Sequence, residues 1–295
     1  MALAPTEMAA LERAAAAPMR PQVEAWAAIN SGTGDLSGLA RMADTLGDAF
    51  SILPGPLRLI DPVPAEIIEA DGRRRSIDHG RNLHVRVRPE APVQLLLTGH
   101  MDTVFGADHP FQAVREISPS RLNGPGVADM KGGLALMLAA LTAVEASPAA
   151  HRLGYELVIN SDEETGSAGS AALIAEAARG KIAALTYEPA LPDGTLAGAR
   201  PGSGNFACVV RGRSAHAGRN PEDGRNAIVA AAALALRLSR AAGPRLSVNP
   251  ARIDGGGPNN VVPELAILRV NMRPATPEDE RRARAHLDAA IAMVA

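Results

Sequence analysis

Cysteine is almost absent from this 295-residue sequence, which contains only Cys208. A single thiol excludes an intramolecular disulfide and a thiolate cluster for zinc. A reducing, cytoplasmic location fits that scarcity. Aromatic residues make up only 2%, so a core drawn from a chain that is 46% hydrophobic must be built from Ala, Leu, Val and Ile. Lysine is nearly missing too, with Lys131 and Lys181 alone, and the formal net charge is −2. The arginine clusters at 73–75 and 281–284 have no interleaved aromatics and read as solvated faces, so no nucleic-acid partner is expected. The Ala-rich N-terminus carries Glu7, Glu12 and Arg13 where a signal peptide would be apolar, and no apolar run is read as long enough to span a membrane.

What the sequence does carry is an apolar stretch at 93–98 that stops abruptly at GHMD, 99–102. Rich in Leu and Val without alternation, it reads as a strand buried on both faces, as in a parallel sheet flanked by helices. Ligands bind beyond the carboxyl ends of such strands. In extended chain His100 and Asp102 share one side, because strand side chains repeat every two residues. The pair suits a metal: imidazole binds through one nitrogen while a carboxylate holds the other N–H. A polar turn after an ordinary strand has the same H-x-D pattern, so the assignment needs company.

Residues 5–29 have helical propensity, and NSGTGD at 30–35 is a turn leading into a helix over 36–50. Strands are expected over 57–70 and 82–87, then a long buried helix over 131–146, a strand over 155–160, a helix over 168–178 and a strand over 182–187. This alternation argues a doubly wound α/β domain with a mostly parallel sheet. The Gly-rich segment GARPGSGN places a boundary near Arg200, dividing a catalytic domain, 1–200, from a smaller one, 201–295. The smaller part reads strand 206–213, helix 225–240, strands 246–253 and 261–272, and a helix from 278. That βαββα order is one strand short of a ferredoxin-like α+β sandwich.

Three more acidic positions fall at strand ends or helix starts. Asp129 sits in a Gly-rich turn before the buried helix, where backbone N–H groups and a metal can hold it. Glu163 and Glu164 follow the strand ending at Asn160, and adjacent acids there project in different directions. Glu188 is kept extended by Pro189. A helix cap, a solvated turn and an idle surface acid are the ordinary readings of the three. Gathered with His100 on one edge of one sheet, they read better as a site.

The motifs GHMDTV, GPGVADMKGG, SDEETGS, RGRSAHAG with PEDGRNAI, and NNVVPELAILRVNMR resemble, in order and spacing, the co-catalytic zinc amidohydrolases of the aminoacylase and carboxypeptidase G family. That family includes acetylornithine deacetylase and succinyl-diaminopimelate desuccinylase, and the carboxypeptidase G branch is the most similar. The resemblance runs from about Asn30 to the end. It implies a zinc-peptidase-like catalytic domain with an inserted ferredoxin-like dimerisation domain. It implies two divalent ions, zinc first with cobalt or manganese as alternatives. His100 and Glu188 would hold one, Glu164 the other, with Asp129 bridging, Asp102 orienting His100 and Glu163 as general base. A cis peptide would follow Asp129. His216 would reach the partner's site across a homodimer formed through 201–295, and Asn260 and Arg273 would grip the substrate carboxylate. The implied reaction is hydrolysis of an amide bond in an N-acyl amino acid or a C-terminal peptide.

The resemblance also implies one further histidine ligand, after the chain returns from the smaller domain. The sequence ends at Ala295 with that segment absent, and His286, in an Arg/Ala/Glu-rich helix, does not replace it. The rival expectation is therefore a truncated, non-catalytic homologue acting as a binding or assembly subunit.

Overall fold

A computed structural model describes residues 3–295. In chain order its elements are α1 (Pro5–Ala15), α2 (Met19–Ala27), α3 (Leu36–Phe50), β1 (Leu57–Ile60), β2 (Ala65–Ile68), β3 (Arg74–Ile77), β4 (Asn82–Val87), β5 (Val93–His100), β6 (Arg115–Ser118) and β7 (Arg121–Asn123). There follow α4 (Gly132–Glu145), β8 (Leu153–Asn160), α5 (Ala171–Ala177), β9 (Ala183–Thr186), β10 (Gly204–Arg211), α6 (Ala227–Ser239), β11 (Leu246–Gly255), β12 (Leu265–Pro274) and α7 (Pro277–Ala292). They fall into two compact units: residues through Ala65 together with Ile77–Asp193, and Glu66–Ser76 together with Gly194–Ala295. A single cut near residue 200 does not describe that division, since the segment Glu66–Ser76 belongs with the second unit.

The first unit is built on a five-stranded sheet in the order β1-β4-β8-β5-β9. β5 pairs in parallel with both β8 and β9, whereas β4 runs antiparallel to β8 and to β1. The sheet is therefore mixed, where the alternation of elements had suggested a mostly parallel one. Alternation along the strands sorts side chains to two faces. Leu83, Val85, Leu97, Tyr155, Leu157 and Ile159 join the main core with residues of α2, α3 and α4. Leu96 and Val158 point the other way and pack with Ala177, Leu173 and Ile174 of α5.

Local chemistry explains the helices. α3 starts where Asp35 accepts the N–H of Gly38, a side-chain cap, and buries Leu39, Met42, Ala43, Leu46 and Phe50 at helical spacing. The helical run Val127–Glu145 is 19 residues long with a mean hydropathy of 1.5, so one apolar run does reach membrane-spanning length, contrary to the reading of the sequence. Most of its buried residues, among them Leu134, Met137, Leu138 and Leu141, belong to the main core of the first unit.

Two sequence assignments change. The expected strand over 57–70 is two strands, because prolines at 62 and 64 interrupt pairing and split β1 from β2. The arginines at 73–75 sit at the turn and second strand of the β2-β3 hairpin, paired with Asp71, Glu66 and Glu69. The β6-β7 hairpin, also unforeseen, has no apolar alternation to announce it.

The second unit contains an antiparallel sheet in the order β10-β12-β11, with α6 and α7 on its core face. α7 is capped by Thr276, whose hydroxyl accepts the N–H of Asp279. Arg245 donates to the Asp279 carboxylate from a neighbouring turn.

Candidate metal centre

Three parallel strands end on the same edge of the first unit's sheet, and each delivers an acid or an imidazole there. His100 is the last residue of β5 and is 1% exposed. Glu163 and Glu164 lie in a short 3-10 turn after β8, and Glu188 lies two residues beyond β9. Asp129 comes from the irregular turn Val127–Lys131 ahead of α4, entered through Gly126 at φ 72° and containing the cis bond Asp129–Met130. Close packing of α4 on the β9 end fixes this corner. A Cβ at Gly133 would stand 1.9 Å from the Tyr187 carbonyl oxygen, so only glycine lets the helix start there.

The donor atoms converge. One ligand atom each from His100, Asp129 and Glu164 all lie within 4.8 Å of one another. His100 Nε2 is 2.9 Å from Asp129 Oδ1 and 3.7 Å from Glu188 Oε1. On its other side Nδ1 lies 3.0 Å from the Asp102 carbonyl oxygen and 3.3 Å from Asp102 Oδ1. Burial on its own would lower the His100 pKa. The Asp102 hydrogen bond and the charges of Asp102, Glu188 and Asp129 outweigh it and raise the pKa to about 9. Burial, with the Asp129 charge next, pushes the Glu164 carboxyl above its ordinary range. A pocket of acids that holds a proton this firmly on an imidazole is one in which a divalent cation can replace that proton. Nitrogen and carboxylate donors, with a carboxylate behind the histidine, suit zinc and its neighbours, so the residues present fit the cation.

Asp102 is fully buried and accepts three hydrogen bonds besides its approach to His100. Oδ2 takes the Thr33 hydroxyl at 2.8 Å and the Glu164 N–H, and Oδ1 takes the Glu163 N–H. The Glu163 side chain is exposed and stands outside the three-residue donor cluster, whereas Glu164 is half-buried within it.

The other three candidates lie in the second unit. His216 is exposed, and its Nδ1 accepts the N–H groups of Gly218 and Arg219, which leaves the ring hydrogen on Nε2. Asn260 is beside it, its carbonyl accepting the Ala217 N–H, and Val261 bridges to His216. The structure does not bring Arg273 to them. Arg273 is near the far end of β12, paired with Ser247 and donating to Asn271, on the order of 25 Å along the strand from its start.

Residues 96–295 match the family described as peptidase family M20/M25/M40. The chain belongs to this family. Among curated relatives, carboxypeptidase G2 of Pseudomonas sp. (strain RS-16) is 30% identical over 254 residues, covering 85% of this chain and 58% of the relative. Succinyl-diaminopimelate desuccinylase of Psychrobacter arcticus is 29% identical over 227 residues, covering 70% of this chain and 55% of that one. The M20 chain thus spans a little over half the length of these relatives. Solved structures support the fold. An M20 family metallo-carboxypeptidase from Sulfolobus solfataricus superposes with a TM-score of 0.62 at 14% identity, covering 94% of this chain and 76% of that one. Aminopeptidase PepT from Bacillus cereus gives 0.60 at 23% identity, covering 96% and 72%.

Reading the sequence missed Thr33 and the buried Asp162. Thr33 reaches Asp102 across 69 positions of chain, which no local pattern reveals. Asp162 stands beside the acidic pair and looks like one more solvated acid, yet it is fully buried.

Proposed function

We propose that this M20 chain is a metal-dependent hydrolase that cleaves the amide bond of an N-acyl amino acid or a C-terminal peptide. The observation that carries this reading is the convergence of His100, Asp129 and Glu164 at the strand ends, backed by Asp102. His100, Asp129 and Glu188 would hold one divalent cation, and Asp129 and Glu164 a second. Two such cations, zinc first with cobalt or manganese as alternatives, would supply Lewis-acid polarisation of the amide carbonyl and a water acidic enough to attack near neutral pH. Glu163 takes the proton from the attacking water and passes it to the leaving amine. Its exposure supports that role, since a base must reach both solvent and substrate. Asp102 keeps His100 in the tautomer that presents Nε2.

Residues 201–295 form, in this reading, a ferredoxin-like dimerisation domain. The βαββα order and the sheet order β10-β12-β11 support it. His216, with its N–H on an exposed Nε2, and the neighbouring Asn260 serve the site of the partner copy as donors to an oxyanion or carboxylate. Arg273, although distant along β12 from Asn260, keeps in this reading the role of gripping the substrate carboxylate with its bidentate fork.

Two variants test the reading together with a zinc titration of the metal-free protein. Glu163→Ala should keep its cations and lose about 10² to 10⁴ in turnover, the range of a general acid–base group. Mixing it with His216→Ala should restore part of the activity, because one composite site per heterodimer is intact. Parallel loss of metal and turnover in Glu163→Ala would reassign Glu163 as a ligand. Tight cation binding with no hydrolysis of any N-acyl amino acid would favour a binding or assembly subunit.

A further inference from the structure

Outside the donor set, one buried imidazole has no role yet. The His79 side chain is only 3% exposed, and its Nδ1 has no hydrogen-bond partner. Asp162 Oδ2 lies 4.0 Å from it. Asp162 itself is fully buried and organises the turn that carries Glu163 and Glu164. Its carboxylate accepts the Gly169 N–H at 2.6 Å, the Ser170 hydroxyl at 2.6 Å and the Asn160 amide at 3.3 Å, while its carbonyl accepts the N–H groups of Thr165 and Ser167. Gly169 is what admits the imidazole: a Cβ there would stand 2.9 Å from His79 Nδ1 and 3.3 Å from Asp162 Oδ2.

We propose that His79 is a positioning residue for the metal centre: its Nδ1–H faces Asp162 and, through that carboxylate, sets the turn that aims Glu164 at the cation. The inference rests on the metal-site reading above. His79 is the one group in ion-pair range of Asp162 among the described residues, and the three hydrogen bonds to that carboxylate come from neutral donors. The Asp162 carboxylate is satisfied by its three hydrogen bonds, whereas a buried imidazole nitrogen with no partner is unfavourable. At 4.0 Å Nδ1 lies beyond hydrogen-bond distance of Oδ2, so what it offers Asp162 is a dipole directed at the carboxylate over the space that Gly169 leaves open. The restraint they impose acts on a turn whose other anchor is Asp102, so Glu164 is held from both sides.

Zinc affinity of the metal-free protein is the readout. His79→Phe keeps the ring's volume and removes its donors, and should bind zinc about 10- to 100-fold more weakly, the usual effect of an outer partner of a metal ligand. In a Glu164→Gln background the same substitution should add nothing. Wild-type affinity in His79→Phe, or losses that multiply with those of Glu164→Gln, would overturn the proposal. A long-range 1H–15N spectrum of the wild-type chain decides the matter without a variant: the hydrogen should reside on Nδ1, and a bare Nδ1 with Nε2–H would overturn it too. His100→Ala serves as the control. If it leaves zinc binding intact, the metal-site reading has failed, whatever His79 does.

Discussion

Asp102 and Glu164 are joined by a single hydrogen bond, from the Glu164 N–H to Asp102 Oδ2 at 3.2 Å, that ties the end of β5 to the turn after β8. The other oxygen takes the Glu163 N–H at the same distance. One buried carboxylate therefore aligns an imidazole from one strand with two acids from its neighbour.

Asp102→Asn should test that linkage. Whichever way the amide turns, its NH2 faces a backbone N–H of Glu163 or Glu164, leaving one donor without an acceptor at a cost of about 1–3 kcal/mol. Zinc affinity measured by calorimetry should fall about 10- to 100-fold as well. A drop in turnover with wild-type zinc affinity would show that Asp102 acts in catalysis and not in shaping the site.

Gly133→Ala should destabilise the chain by about 1–3 kcal/mol through overpacking, because the new methyl group collides with the Tyr187 carbonyl one residue before Glu188. Urea unfolding gives the number. A variant as stable as wild type would mean that α4 can slide away from the β9 end.

On the opposite face of the sheet, Glu156 accepts from both Lys181 and His84 at 2.9 Å. Burial would raise the Glu156 pKa, but the hydrogen bonds from Lys181 and His84 outweigh it and hold the carboxyl below the ordinary glutamate range. A group whose pKa is lowered by folding stabilises the native state above its unfolded pKa and loses that contribution as pH falls through the folded value. Wild-type melting temperature should thus drop as pH is taken below about 4, and Glu156→Gln should flatten that part of the curve. An unchanged slope in the variant would remove Glu156 from the acid transition.

The sequence made the regular parts of the first unit legible for a physical reason. α3 has a cap, a helical apolar period and no breaker, and β4 alternates around Leu83, Val85 and Val87, so both occupy the residues that periodicity assigns them. His100, Asp129, Glu164 and Glu188 could be read because strand ends and helix starts are marked by abrupt changes from apolar to polar. Hairpins escaped where pairing depends on charge and partners: β2-β3 is held by Arg74–Glu66 and Arg75–Glu69 contacts, and β6-β7 by no apolar pattern at all. Thr33 and His79 were equally silent, since each faces a residue distant in the chain, and Asp162 was silent because its burial under its own turn leaves no mark in the sequence.

The strands that present the donors are unequally anchored. β5 is hydrogen-bonded on both sides and its core residues are buried, whereas β9 pairs with β5 alone among the described residues and is exposed along its length. Local opening favours segments with few buried contacts, so β9 frays long before β5 lets go. Hydrogen exchange should therefore reach the backbone amides of β9 well before those of β5.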